Sequence, residues 1–276
     1  MAKNNHKSLK HILLWTGSLL VFLIAFGYWL KVAPFSGLKK AVMSTIPIPL
    51  VRVNSHIVYS TEFIERLNDY TALKNAGLDF PGAPQDAALQ SLINESKLQE
   101  LTRAEKAKLR PYSDFIDLSA EELKKGPFIK RAAEADAKKS AVKFWFYSQK
   151  NLNENAWSKA EKILSDLKAG ADFGTLAKTY SDDRQSLALE GDFGPQNLKD
   201  MLFEIREPLA ALNVGETAII PSRLGLHVIQ VYKKGNSENG QDVVYLKQIF
   251  LKGSDFESWV LEETKNYQIS QWLAIK

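Results

Sequence analysis

The chain has 276 residues, 36 lysines and arginines against 32 acidic residues, and no cysteine, enough for one sizeable domain or two modest ones. The absence of cysteine excludes disulfides, thiolate metal sites and a cysteine nucleophile. The net charge of +4 is misleading, because Lys3, Lys7, Lys10, Lys31, Lys39 and Lys40 stand without any acidic residue among the first forty positions. The remainder of the chain is slightly acidic, which argues against nucleic acid as a partner.

In chain order, residues 1–10 read as a short basic tail. From Ile12 to Leu30 the sequence is apolar and uncharged, with Trp15, Tyr28 and Trp29 near its ends. That pattern predicts a membrane-spanning helix over 11–30. A cleaved signal peptide would have a shorter apolar core ending in a small-x-small site, which is not found here. The basic tail favours a cytoplasmic N-terminus, so the expected location is the cytoplasmic membrane, single-pass, with the main domain outside the cytoplasm. Residues 31–50 contain Pro34, Gly37, Pro47 and Pro49 and read as a linker.

Val51 to Ile57 alternates as a strand and passes through Ser60 or Thr61, either a good N-cap, into a helix bearing Phe63, Ile64 and Leu67. Leu89, Leu92, Ile93, Leu98 and Leu101 mark the next helix, and Ser119-x-x-Glu122 is a capping box opening a third. Ala141 to Tyr147 is an aromatic-rich run without any turn residue before it. Trp157, Ala160, Ile163, Leu164 and Leu167 then recur at helical spacing, and Gly170 closes that helix. Phe173, Leu176, Ala177 and Tyr180 share one face of a further helix, which ends in Ser181-Asp182-Asp183. A glycine-pinned turn, Gly191-Asp192-Phe193-Gly194, is followed by Met201, a short apolar helix around Pro208 to Leu212, and the turn Val214-Gly215-Glu216. Leu224-Gly225-Leu226-His227-Val228-Ile229 is a strand entered through a glycine, and Val243 to Leu251 is another apolar strand. Ser254-x-x-Glu257 caps a short helix with Phe256, Trp259 and Val260 on its buried side.

The order of pieces from Ala156 to Tyr232 closely resembles the parvulin family of peptidyl-prolyl isomerases. The family's stretches run roughly G-x-D-F-x-x-L-A-x-x-Y-S-x-D, G-G-D-L-G, M-x-x-x-F, L-x-x-G-E and F-G-x-H-I-I, and each has a counterpart here in the same sequence order. The segment from Val51 also resembles the helical chaperone segment that precedes the parvulin domain in many exported bacterial foldases, with Ser55 where a glycine is usual. The resemblance implies an α+β chain: a chaperone-like segment over 51–150, a parvulin-like domain over 151–252 with a small antiparallel sheet and surrounding helices, and a C-terminal helix and tail over 253–276. Two segments compete for the first parvulin strand, which bears an H-I-L-V motif. Residues 141–147 stand in the ordinary place, but Gln248-Ile249-Phe250-Leu251 within 243–251 fits the motif better and implies a circularly permuted domain. In that reading residues 128–150 form a long helix whose aromatics pack on the chaperone segment.

The same resemblance places Met201, Ile205, Ser222 and Leu224 at a proline slot, with Ile205 where the family has phenylalanine. His227 matches the second histidine of the family's pair, and its partner is Gln248 in the permuted reading or an aromatic near Trp145 in the other. Asp183 takes the position that faces the reacting carbonyl, although an aspartate there equally caps the turn after its helix. The implied activity is peptidyl-prolyl isomerisation, without cofactor or metal, of unfolded or newly exported polypeptides containing proline. The alternatives are a non-catalytic polypeptide-binding chaperone and a structural subunit of a membrane assembly.

Overall fold

The computed structural model describes residues 21–35, 37–78, 80–124, 126–236, 240–273 and 275. The chain divides into two compact units, one formed by residues 1–101 with 264–276 and the other by 102–263.

In the first unit, helix α1 covers 21–32 and α2 covers Gly37–Thr45. Among the described residues no helix is long and apolar enough to cross a membrane. The expected anchor over 11–30, and with it the single-pass membrane location, is therefore corrected; its part before residue 21 lies outside the described residues. Leu30 is buried in the core of this unit, and Phe26 and Trp29 pack against the same cluster. Residues 31–50, read as a linker from their prolines, carry α2, whose Met43 is fully buried.

Strands β1 (Pro49–Val53) and β2 (His56–Tyr59) form a hairpin closed by Asn54 and Ser55, and Asn54 takes the left-handed φ of 49° that the tight turn requires. Asparagine tolerates that conformation better than most residues, so the missing glycine at 55 does not prevent the turn. Helices α3 (Ser60–Asn75) and α4 (Pro84–Ala104) follow, and they bury Phe63, Ile64, Leu92 and Ile93.

The second unit opens with a 3-10 turn at Tyr112–Phe115 and α5 (Ala120–Leu123). The Ser119–Glu122 capping box is formed in both directions. Helices α6 (Pro127–Ser148), α7 (Glu154–Lys168), α8 (Phe173–Tyr180) and α9 (Arg184–Ala188) come next. Then come β3 (Asp192–Asn197), α10 (Phe203–Ala211), β4 (Thr217–Ser222), β5 (Gly225–Asn236), β6 (Asp242–Leu251) and α11 (Phe256–Thr264). The last strand, β7 (Ile269–Gln271), belongs to the first unit and pairs antiparallel with β1.

Residues 141–147 are helical, within α6, and 243–251 lie in β6. The four-stranded sheet has the order β3-β6-β5-β4, with all neighbours antiparallel, so its last strand in sequence is central. The aromatics of α6 divide between two neighbours in their own unit. Phe144 meets Phe115, inside the expected chaperone-like segment, with ring centroids 5.8 Å apart. Phe146 instead turns to α11, its ring centroid 4.7 Å from that of Trp259 and 5.5 Å from that of Phe256. The reason is that α11 supplies an apolar face immediately beyond the sheet.

Strand alternation sorts the two faces of the sheet. Leu226, Val228, Ile249 and Leu251 meet α7 and α8 through Ala160, Ile163, Phe173 and Ala177. Ile229, Val231, Val244 and Leu246 meet α10 through Ile205 and Leu209 on the other side. Each edge strand carries a proline, Pro195 in β3 and Pro221 in β4.

Candidate functional site

His227 is the third residue of β5, on the face that packs toward α10, and it is 4% exposed. Register sets its neighbours. Phe250 of β6 lies directly across from it, with ring centroids 5.0 Å apart, and Gln248 is offset by two residues on the same face. On the other side Ile220 of β4 is its partner.

A chain of hydrogen bonds runs through the imidazole. The Leu224 backbone N–H donates to Ser222 Oγ at 3.0 Å, and Ser222 Oγ lies 2.8 Å from His227 Nε2. His227 Nδ1 lies 3.0 Å from Gln248 Oε1. With the Gln248 oxygen facing the ring, the proton sits on Nδ1, and Nε2 accepts from the Ser222 hydroxyl; this assignment follows from the network. Burial pushes the imidazole down from 6.5 to about 4, against the opposing pull of the Gln248 hydrogen bond and of the Glu204 and Asp183 carboxylates. The ring is therefore neutral across the physiological range.

This shift predicts a pH dependence. The folded chain disfavours protonated His227 while the unfolded chain binds that proton near pH 6.5, so the stabilisation is full above that value and is lost as pH falls through about 4. The whole difference is about 3 kcal/mol, from 1.36 kcal/mol for each unit. His227→Gln is expected to flatten the stability profile of the second unit between pH 6.5 and 4, measured by urea melts at fixed pH. An unchanged slope would show that His227 titrates normally.

Asp183 is the N-cap of α9, accepting from Ser186 N at 2.8 Å. Its segment is stitched to β6: Asp182 N donates to Phe250 O at 2.8 Å, and Phe250 N donates to Ser181 Oγ at 3.1 Å. The carboxylate that caps α9 thus stays within electrostatic range of His227. Ile205 is buried with Leu209, Ile220 and Ile229, and Met201 is half-buried against the same cluster. Leu224 is 56% exposed at the tip of the β4–β5 turn. Of the residues expected at the site, Ser222, His227 and Gln248 are in direct hydrogen-bonded contact, Ile205 and Met201 lie in the core cluster on that face, Leu224 is joined through its backbone, and Asp183 stands beside Phe250's end of β6.

Sequence reasoning missed Arg223 and Glu204. Both are buried, and they form a two-pronged ion pair with distances of 2.9 and 3.0 Å. Burial alone would raise the Glu204 carboxyl, but hydrogen bonds from the Arg223 side chain and backbone outweigh it and hold the acid below its ordinary value. Nothing in the local sequence signals this, since an arginine in a turn ordinarily reads as solvated and its partner is far away along the chain. Among the described residues no group of three or more histidines and acidic residues is arranged to hold a metal ion.

Residues 124–235 match the family described as the PPIC-type PPIASE domain. The match includes α6 and stops before β6, the strand that completes the sheet. Over 120 residues the chain is 32% identical to "Chaperone SurA" of Photorhabdus laumondii, covering 42% of this chain and 28% of that protein. It is also 32% identical over 104 residues to "Chaperone SurA" of Hahella chejuensis, covering 37% and 24% respectively. The chain thus matches only about a quarter of the length of these relatives.

Proposed function

The chain carries a parvulin-type domain of the PPIC kind, and from that premise we propose that it is a foldase which catalyses cis–trans isomerisation of peptidyl-prolyl bonds in unfolded polypeptides. The barrier to peptide rotation is about 18 to 20 kcal/mol because the amide is conjugated. For X-Pro the two isomers are close in energy, so a catalyst needs neither nucleophile nor metal. It needs an apolar grip on the proline ring and polar groups that favour the twisted amide over the planar one. In this reading Met201, Ile205 and Leu224 grip the ring, with Ser222 beside them. Asp183 faces the carbonyl as it loses conjugation, while burial keeps His227 neutral and Gln248 holds it in one tautomer on the floor of the site.

The observation that carries the reading is the hydrogen-bond chain from Leu224 through Ser222 and His227 to Gln248. Such a chain orients a polar ring that burial keeps uncharged, which is what a site that acts by electrostatics rather than by proton transfer uses. Turnover of an X-Pro peptide panel, followed by protease-coupled or NMR-exchange assay, tests it. His227→Ala is expected to lower turnover by about tenfold or more through loss of a positioned group. Gln248→His with Ile205→Phe, which restores the residues of the parvulin pattern, is expected to raise it.

A second reading is favoured by those same two positions. With Gln248 and Ile205 in place of a histidine and a phenylalanine, the groove would bind polypeptide without accelerating rotation, as a chaperone. Relatives named as chaperones support it. Absence of turnover in both the unaltered and the restored chain, with suppression of client aggregation intact, would select this reading and exclude the enzyme.

A further inference from the structure

Arg223 sits in the β4–β5 turn between Ser222 and Leu224, a place where an arginine normally reaches into solvent, yet it is only 7% exposed. Its guanidinium donates to both carboxylate oxygens of Glu204, at 2.9 and 3.0 Å, and to Asp117 at 2.7 Å. Its backbone N–H donates to the same Glu204 carboxylate at 3.0 Å, and the Phe115 ring lies 5.1 Å from the guanidinium carbon. Three separate pieces of chain therefore converge on one side chain: the first turn of α10, the 115–117 segment, and the β4–β5 turn.

The neighbours of the paired residues give this arrangement its significance. Glu204 immediately precedes Ile205 and follows Met201 by three positions, on the helix proposed to form one wall of the proline slot. Arg223 stands between Ser222, which bonds the His227 ring, and Leu224, whose N–H feeds that bond. A forked arginine–carboxylate pair fixes distance and angle together, which a single hydrogen bond or an apolar contact does not. Set against an apolar pair of the same volume, a buried ion pair adds little or no net stability, so stability alone does not account for it.

We infer that Arg223 and Glu204 are positioning residues: their pair fixes the β4–β5 turn against α10, and so holds Ser222 Oγ on His227 Nε2 and the imidazole in its Nδ1–H form. The effect on turnover rests on the isomerase reading above; the effect on the His227 ring does not.

The test uses the full chain with Arg223→Met and Glu204→Met combined, which removes both charges and leaves neither one buried alone, and separately Arg223→Lys, which keeps the charge but loses the fork. The readouts are kcat and KM for an X-Pro peptide, the nitrogen-15 shifts of the His227 imidazole, and thermal melting. The double variant is expected to melt as a folded protein and to lose about tenfold or more in kcat with KM changed less than about twofold, in line with the sensitivity of positioned groups to small displacements. Its His227 shifts should move from a single tautomer to a mixture, and the lysine variant should fall between. Unchanged shifts and unchanged kcat in the double variant would reduce the pair to ordinary packing. Should the double variant not fold, the lysine variant decides on the same readouts, with unchanged shifts and kcat sinking the inference. If the unaltered chain shows no turnover, the isomerase reading fails, and the His227 shifts alone still decide the positioning role.

Discussion

A chain ending at Gly240 is expected to lose cooperative folding of the 102–263 unit altogether. Such a truncation removes β6, which lies between β3 and β5 and is, among the described residues, the only strand that β3 pairs with. Val243, Val244, Leu246, Ile249 and Leu251 are all buried, and they serve both faces of the sheet. At about 1.5 to 3 kcal/mol for each fully buried apolar side chain, their loss amounts to about 8 to 15 kcal/mol, as large as the whole net stability of an ordinary domain. The removal also strips His227 of Gln248 and Phe250. Near-UV circular dichroism and amide exchange on β5 would measure the effect, and a sharp native-like melt in the truncated chain would refute it. A chain ending after Leu251 keeps the sheet but loses α11, and with it the rings of Phe256 and Trp259 that pack on Phe146. It is expected to be folded but weaker by several kcal/mol, since large aromatic truncations in cores cost about 3 to 5 kcal/mol.

The second large effect is expected from Gly225→Ala. A Cβ at this position would stand 2.6 Å from the carbonyl oxygen of Leu251 and 2.9 Å from the Phe250 ring, at a φ of +152°. The oxygen belongs to the backbone of β6, in register with Leu226, and it cannot retreat without opening the ladder that holds His227 opposite Phe250. A loss of about 3 kcal/mol or more is expected from the combined overpacking and strained backbone, which corresponds to a fall in melting temperature of about 10 °C for a unit of this size. Gly215→Ala is the control. Its φ is +92° but nothing lies within 4 Å of the added carbon, so only the cost of the backbone conformation, about 1 to 2 kcal/mol, is expected. Equal losses at the two positions would show that the close approach to Leu251 is not what demands glycine at 225.

Much of the second unit was legible because its signals are local. The helix ending at Gly170, the capping box at Ser119 and the strand entered through Gly225 that carries His227 each depend on residues a few positions apart. The place of β6 was legible for a different reason: Gln248-Ile249-Phe250-Leu251 fits a strand motif that 141–147, preceded by an unbroken helical run, does not. The pair of Arg223 and Glu204 could not be read, because it joins a helix to a turn across a strand, and neither residue type announces burial. The place of Leu30 could not be read for a related reason. A helix side chain bound for a protein core looks the same in sequence as one bound for lipid, and here Leu30 shares its core with Leu273 and Ile275 from the opposite end of the chain. Only the return of the C-terminal residues, through β7 and its bonds to β1, discloses the core in which Leu30 lies.

The prolines at the two borders of the four-stranded sheet have a consequence for a protein proposed to handle unfolded polypeptide. Such a protein is continually presented with extended segments whose backbone groups seek partners, and an unguarded sheet margin would recruit them into a growing ribbon. Pro195 and Pro221 withhold an N–H from each margin and interrupt the ladder that a captured segment would need. The sheet is thereby sealed at four strands, and under the proposed function a bound polypeptide would be released again rather than incorporated into the fold.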